Sequence, residues 1–285
     1  MHRRTKQAAF SLLEIIIVIV LLGVLAGGAG LLITTPIQAY SDQLRRQQLV
    51  DQAEMALRQI ARDVRRALPN SIRVTPSGLA IEMVNTVDGA RYRDEIGGGF
   101  VTDDDILDFS APDSAFNFLG KLRLTAFAAD YRLVIYNTVP DDFYLAALNI
   151  TNQGIVTTAA AALALFSGSD EDRVTMTPAF QFSEQSPGQR AFIVDGPISY
   201  ICTPGSRSMT RYSNYAYQTV QPNPTLPPTG GVSGLVVTQV AACSISYVAG
   251  TASRGGLVTI NITLNDVATG ESISLLHQVH VDNVP

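Results

Sequence analysis

At 285 residues the chain can bury a sizeable core, and its length permits one or two domains. A formal net charge of −5, with only 16% charged residues, argues against a nucleic-acid-binding protein, because phosphate contacts need a basic footprint. Losing Arg3, Arg4 and Lys6 from the N-terminus would make the remainder more acidic still.

The first element in chain order is an apolar run from Ala9 to Ile33, preceded by a basic tip of His2, Arg3, Arg4 and Lys6. No charged side chain follows Glu14 until Asp42, an interval longer than the roughly 20 residues a helix needs to cross a bilayer. A membrane-spanning helix is therefore expected over residues 10–35. Cations before the run, with none close behind it, place the N-terminus in the cytoplasm and the rest of the chain across the inner membrane. A cleaved secretory signal peptide fits less well, since its apolar region spans only about 7–15 residues. Glu14 does not suit a plain anchor: a carboxylate inside such a helix costs about 2.5–3.5 kcal/mol on insertion scales, which marks it as functional. Gly23, Gly27, Gly28 and Gly30 weaken the helix by up to about 1 kcal/mol each and offer a place for close helix packing. Pro36 is expected to kink or interrupt it.

Residues 36–69 read as a second, amphipathic helix. Val50, Ala53, Leu57, Ile60, Val64 and Ala67 form one apolar stripe at steps of 3 and 4. The opposite face carries Arg45, Arg46, Arg58, Arg62, Arg65 and Arg66 among Asp42, Asp51, Glu54 and Asp63. Spacings such as Glu54 to Arg58 favour a solvated, self-paired surface over a nucleic-acid face. Pro69-Asn70 closes the helix.

From residue 70 to 285 the texture is that of a β-rich domain. Ile72–Val74 and Leu79–Val84 around Pro76-Ser77-Gly78 read as a hairpin. Further strands are expected at Leu122–Phe127, Leu133–Tyr136, Ala191–Val194, Ile198–Cys202, Leu235–Val240, Ser244–Val248, Leu257–Leu264 and Ser272–Val281. Ala159–Phe166 is a short helical candidate, and Pro222–Gly234 a loop. The expected fold class is thus α+β, a long N-terminal helix packed on a C-terminal antiparallel β-rich domain. Cys202 and Cys243, both far beyond the membrane segment and in an oxidising compartment, are expected to form a disulfide.

Signs of chemistry are few. His277 and His280 are spaced H-x-x-H, but residues three apart on a strand point to opposite faces, so no metal site is expected there. Asp103, Asp104, Asp105 and Asp108, like Ser169, Asp170, Glu171 and Asp172, read as solvated acidic loops without the ligand spacing of a calcium loop. Gly97-Gly98-Gly99 lacks the lysine and helix start of a phosphate loop, and no nucleophile elbow or H-E-x-x-H is present. No catalytic residue and no cofactor is assigned, and the chain is not read as an enzyme.

Ala9-Phe10-Ser11-Leu12-Leu13-Glu14, with its apolar helix behind, resembles the processing site of type IV prepilins and pseudopilins, in which glycine usually stands where Ala9 does here. The resemblance implies a leader of residues 1–9, cleavage between Ala9 and Phe10 by prepilin peptidase, N-methylation of Phe10, and Glu14 as a subunit-assembly contact. Residues 61–74, Ser186–Arg190 leading to Ser199–Cys202, and the ending Leu275–Pro285 are similar to the MshO family, minor pilin-like proteins of the mannose-sensitive haemagglutinin (MSHA) pilus. That similarity implies a pilin-like fold and a role in assembling or initiating the pilus. The implied partners are other major and minor pilin subunits and the inner-membrane assembly machinery, and the implied destination is the cell surface. A type II secretion pseudopilin, a membrane-anchored periplasmic enzyme and a pilus-tip adhesin remain open alternatives.

Overall fold

A computed structural model describes residues 11–95, 106–151, 154–158, 161–250 and 255–285, with the backbone alone for 29–38. One helix, α1 (Leu12–Arg65), covers both stretches read from the sequence as separate helices. Its backbone stays helical through Pro36, so the interruption expected there does not occur. The chain divides into two compact units, residues 1–49 and 50–285.

In the first unit the large apolar side chains of α1 between Leu12 and Leu25 are all exposed, from 47% at Val18 to 77% at Leu12. Exposure runs around the whole helix rather than along one stripe.

The second unit begins with the last turns of α1. Of the expected stripe, Ala53, Leu57, Ile60, Val64 and, just past the helix, Ala67 are buried and Val50 is half-buried, while Ala56 and Ala61 join them. Beyond Arg65 the backbone turns away from helical bonding: Leu68 N–H donates to the Val84 carbonyl at 2.8 Å and Thr86 N–H to Arg66 at 2.9 Å. The helix thus ends at Arg65, short of the expected end at residue 69, because the next strand captures its continuation.

Twelve strands follow among the described residues. A six-stranded antiparallel sheet has the order β1 (Arg73–Val74), β2 (Ala80–Arg91), β7 (Arg190–Thr203), β8 (Ser208–Ser213) and β9 (Val232–Thr238), with β4 (Arg132–Ile135) also paired to β7. A second sheet runs β3 (Asp113–Phe118), β6 (Asp172–Phe180), β5 (Ala162–Ser167). A third runs β10 (Val240–Val248), β11 (Gly256–Asn265), β12 (Ser272–Val281). The β1–β2 hairpin closes at Gly78, whose φ of +68° suits glycine and whose carbonyl accepts the Ile245 N–H of β10 at 2.8 Å.

The two runs expected at Ala191–Val194 and Ile198–Cys202 are one strand, β7, which is bordered by β4 up to Val194 and by β8 from Ile198. Pro197 sits in that gap. Its partner Val84 sends its own N–H and C=O toward Ser71 and Leu68, so Pro197 faces its missing donor away from β2, where no neighbour asks for it. Central burial explains the apolar texture of β4: Leu133 and Ile135 pack toward Phe116, Phe118 and Val174, while Val134 packs toward α2 (Pro140–Ala147) on the other face.

Two expectations are corrected here. Leu122–Phe127 is not a strand, because the N–H groups of Leu122, Arg123 and Leu124 are held by the carboxylates of Asp172 and Asp88 at 2.6–2.9 Å instead of by a ladder. The helical candidate Ala159–Phe166 is contradicted by β5, whose residues from Ala162 onward pair with β6; Ala159 and Ala160 lie outside the described residues. α2 is not among the expected elements, although Pro140 at its first turn followed by Asp141 and Asp142 is an ordinary helix start. β3, β6 and β8 are likewise additional to the expected strands.

Candidate functional site

The described part of the N-terminal motif begins at Ser11. Its hydroxyl accepts the Leu13 N–H at 3.2 Å, and its carbonyl accepts those of Glu14 at 3.0 Å and Ile15 at 3.3 Å. Ser11 therefore caps α1, with Glu14 three residues on, the S-x-x-E spacing of a capping box. This signal was available in the sequence and gives Glu14 a local reason to stand in the first turn, where the helix dipole favours a carboxylate. Behind it the helix presents apolar side chains on every side. Such a surface has no internal core to join and calls for an apolar environment, from lipid or from neighbouring helices. Among the described residues no helix is long and apolar enough to cross a membrane, the side chains of α1 being described only over 12–28 before the gap. Ala9 and Phe10 lie outside the described residues.

In the second unit Cys202 of β7 and Cys243 of β10 are joined, with Cα atoms 6.6 Å apart, so the disulfide ties the six-stranded sheet to the third sheet. Closing a loop with a separation of 41 residues stabilises the fold by about 4 kcal/mol in the chain-entropy picture. His277 faces inward, opposite Ile260 of β11, and His280 outward, so the two do not converge. Among the described residues no group of three or more His, Cys, Asp or Glu side chains is placed to hold a metal.

The acidic loops are only partly as expected. Asp103, Asp104, Asp105 and the Gly97–Gly99 run lie outside the described residues. Asp108 is exposed, and hydrogen bonds from Ser110 lower its carboxyl below the ordinary range. Glu171 and Asp172 are not free loop acids: Glu171 pairs with Arg93, and Asp172, 2% exposed, binds Lys121 at 2.8 Å and the Leu122 N–H at 2.8 Å. Burial raises the Asp172 carboxyl, but these donors with Ser167 more than offset it, and the net shift is downward.

A buried polar cluster on the six-stranded sheet was not foreseen. Glu82 of β2, fully buried, pairs with Arg73 of β1 and accepts the Tyr215 hydroxyl at 2.7 Å, which also meets Ser199 at 2.5 Å. Arg73 lies 3.7 Å over the Tyr144 ring and donates to the carbonyls of Gln218 and Thr219. Burial raises the Glu82 carboxyl further than Arg73 and Tyr215 lower it. On the opposite face, Asp63 of α1 accepts the Tyr200 hydroxyl and Arg211 Nε, each at 2.7 Å. Burial pushes the Tyr200 hydroxyl far up, and the Asp63 charge adds to it. Burial tends to lower Arg211, but its bond to Asp63 raises it overall. Both clusters clamp elements together: the loop 215–221 onto the sheet in one case, the end of α1 onto β7 and β8 in the other.

Comparison with curated proteins and with solved structures returned no significant match. Residues 4–30 match the model of the prokaryotic N-terminal methylation motif. A motif of this kind implies processing by prepilin peptidase and the pilus machinery in general, and suggests a membrane-anchored N-terminus and a structural subunit. The matched segment ends within α1, and it supports the conclusion that the chain is a type IV pilin-like protein.

Proposed function

We propose that the chain is a minor subunit that assembles into, or initiates, an MSHA-type pilus. In this reading residues 10–35 cross the inner membrane with the N-terminus in the cytoplasm, and residues 70–285 form the periplasmic and later extracellular domain. Prepilin peptidase cuts between Ala9 and Phe10, and Phe10 is N-methylated. The observation that carries the reading is the helix behind the matched motif, apolar and exposed around its circumference, with one carboxylate, Glu14, in its first turn. When the helices of neighbouring subunits bundle, the Glu14 carboxylate meets the N-terminal amine of a neighbour. Either charge buried alone is costly, so the pair selects the register that satisfies both.

Mass spectrometry of the N-terminus of protein recovered from the native membrane tests this directly. A methylated Phe10 is expected, and an intact Met1 would overturn the reading. In the same cells Glu14→Ala is expected to leave membrane insertion unchanged and to impair incorporation into pili, measured as the ratio of sheared-pilus to membrane protein.

A further inference from the structure

The end of α1 carries four exposed arginines, Arg58, Arg62, Arg65 and Arg66, on a chain whose net charge is −5. The self-paired surface expected from the sequence holds only in part. Arg45 pairs with Asp42 at 3.2 Å and Arg58 with Glu54 at 3.0 Å. Asp63, the acid interleaved with the later arginines, is instead turned onto Tyr200 and Arg211. Among the described residues the side chains of Arg62, Arg65 and Arg66 make no ion pair or hydrogen bond, and Arg66 acts on Asp195 through its field alone. Two clefts of about 560 and 520 Å³ flank these side chains and share Gln59, Arg62 and Arg65. His277 closes the first, and Arg211 lines the second.

Like charges at spacings of three and four repel by about 0.2–0.5 kcal/mol per pair. The helix dipole offsets this for Arg62 and Arg65 in the last turn, but it asks only for a cation. Guanidinium groups add paired donors in a fixed plane, the geometry that holds carboxylates in bidentate fashion. From Arg58 to Arg65 the helix rises about 10 Å, a length matched by about three residues of extended chain. A patch this short, on an acidic protein whose field repels long polyanions, suits a local cluster of carboxylates. We propose that Arg58, Arg62, Arg65 and Arg66, with their two flanking clefts, form a docking surface for an Asp/Glu-rich segment of a neighbouring subunit. This names a contact within the assembly proposed above and rests on that reading for the identity of the neighbour.

The test uses the full chain in detergent micelles and a fluorescent oligo-aspartate peptide, with binding followed by anisotropy at low and high salt. The wild type is expected to bind in a salt-sensitive way. Arg62→Ala/Arg65→Ala/Arg66→Ala is expected to lose about tenfold or more in affinity with an unchanged melting temperature, whereas Arg45→Ala binds as wild type. The triple lysine variant, with charge kept and forks lost, is expected to fall between them. Equal binding by the triple alanine variant overturns the proposal. So does stronger patch-dependent binding to phosphatidylglycerol vesicles or to single-stranded oligothymidine, which would assign the surface to a lipid or a nucleic acid. Because methylation of Phe10 is read separately, loss of this contact with Phe10 still methylated leaves the assembly reading standing.

Discussion

The first turns of α1 and the β-rich unit use apolar residues in opposite ways. Between Leu12 and Leu25 every large apolar side chain is exposed, whereas Ile81, Met83, Phe116, Phe118, Ile193 and Ile260 are at or near zero exposure. The same chemistry is unsatisfied in one region and closed on itself in the other. What separates them is periodicity. A strand that alternates, or a helix with one stripe, can bury its apolar face against its own chain; a helix apolar all round cannot, and its free energy must come from lipid or from other chains.

The strongest way to break this comparison is to charge the first region. Ile19→Arg/Leu22→Arg is expected to cost about 3 kcal/mol per residue in membrane insertion and to move the protein from the membrane to the soluble or degraded fraction. The melting transition of the β-rich unit, followed by circular dichroism on whatever protein is recovered, should not move. A lowered melting temperature would show that the apolar turns do contribute to the fold.

A smaller effect is expected at the buried pair in the second region. Arg73→Ala strands the Glu82 carboxylate and should destabilise the domain by about 3–5 kcal/mol in a denaturant titration. Arg73→Met/Glu82→Leu should recover most of that loss. If the double variant is as unstable as the single one, the pair matters for its hydrogen bonds to Tyr215, Gln218 and Thr219 rather than for its charge.

The smallest effect concerns pH. Asp172 is held below the ordinary carboxylate value of 3.8, so its contribution is fully present above that value and lost as pH falls through the lowered one. Asp172→Asn is expected to cost about 1.5–3 kcal/mol at neutral pH and to flatten the acid limb of the stability curve. Glu82 has the opposite sign. Its carboxyl is raised, so its contribution is complete below 4.5 and lost as pH climbs through the raised value. An acid limb unchanged in the Asn variant would remove Asp172 from the account.

Several features are legible in the sequence, each because it is local. Spacing alone showed the stripe from Ala53 to Val64, the β1–β2 hairpin around Gly78, the strands β11 and β12, and the Glu54–Arg58 pair. The motif at Ala9–Glu14 was readable for the same reason, and the family model covers that same segment. Misreadings came where a distant group decided. Leu122–Phe127 has a strand's texture but bonds to carboxylates on β2 and β6, and the alanine run before Phe166 has a helix's composition but lies beside β6. Asp63 has Arg62 beside it and Arg66 one turn on, yet it serves Tyr200 and Arg211, far away in sequence.

The sequence by itself determined that this chain carries an N-terminal methylation motif and an apolar helix, followed by an antiparallel β-rich unit, because periodicity and short motifs depend on neighbours along the chain. Only the tertiary structure decided which charges are spent inside the molecule and which remain exposed. Ion pairs form between elements that meet through the fold, and the diversion of one carboxylate, Asp63, leaves three arginines at the end of α1 without a direct ion pair among the described residues.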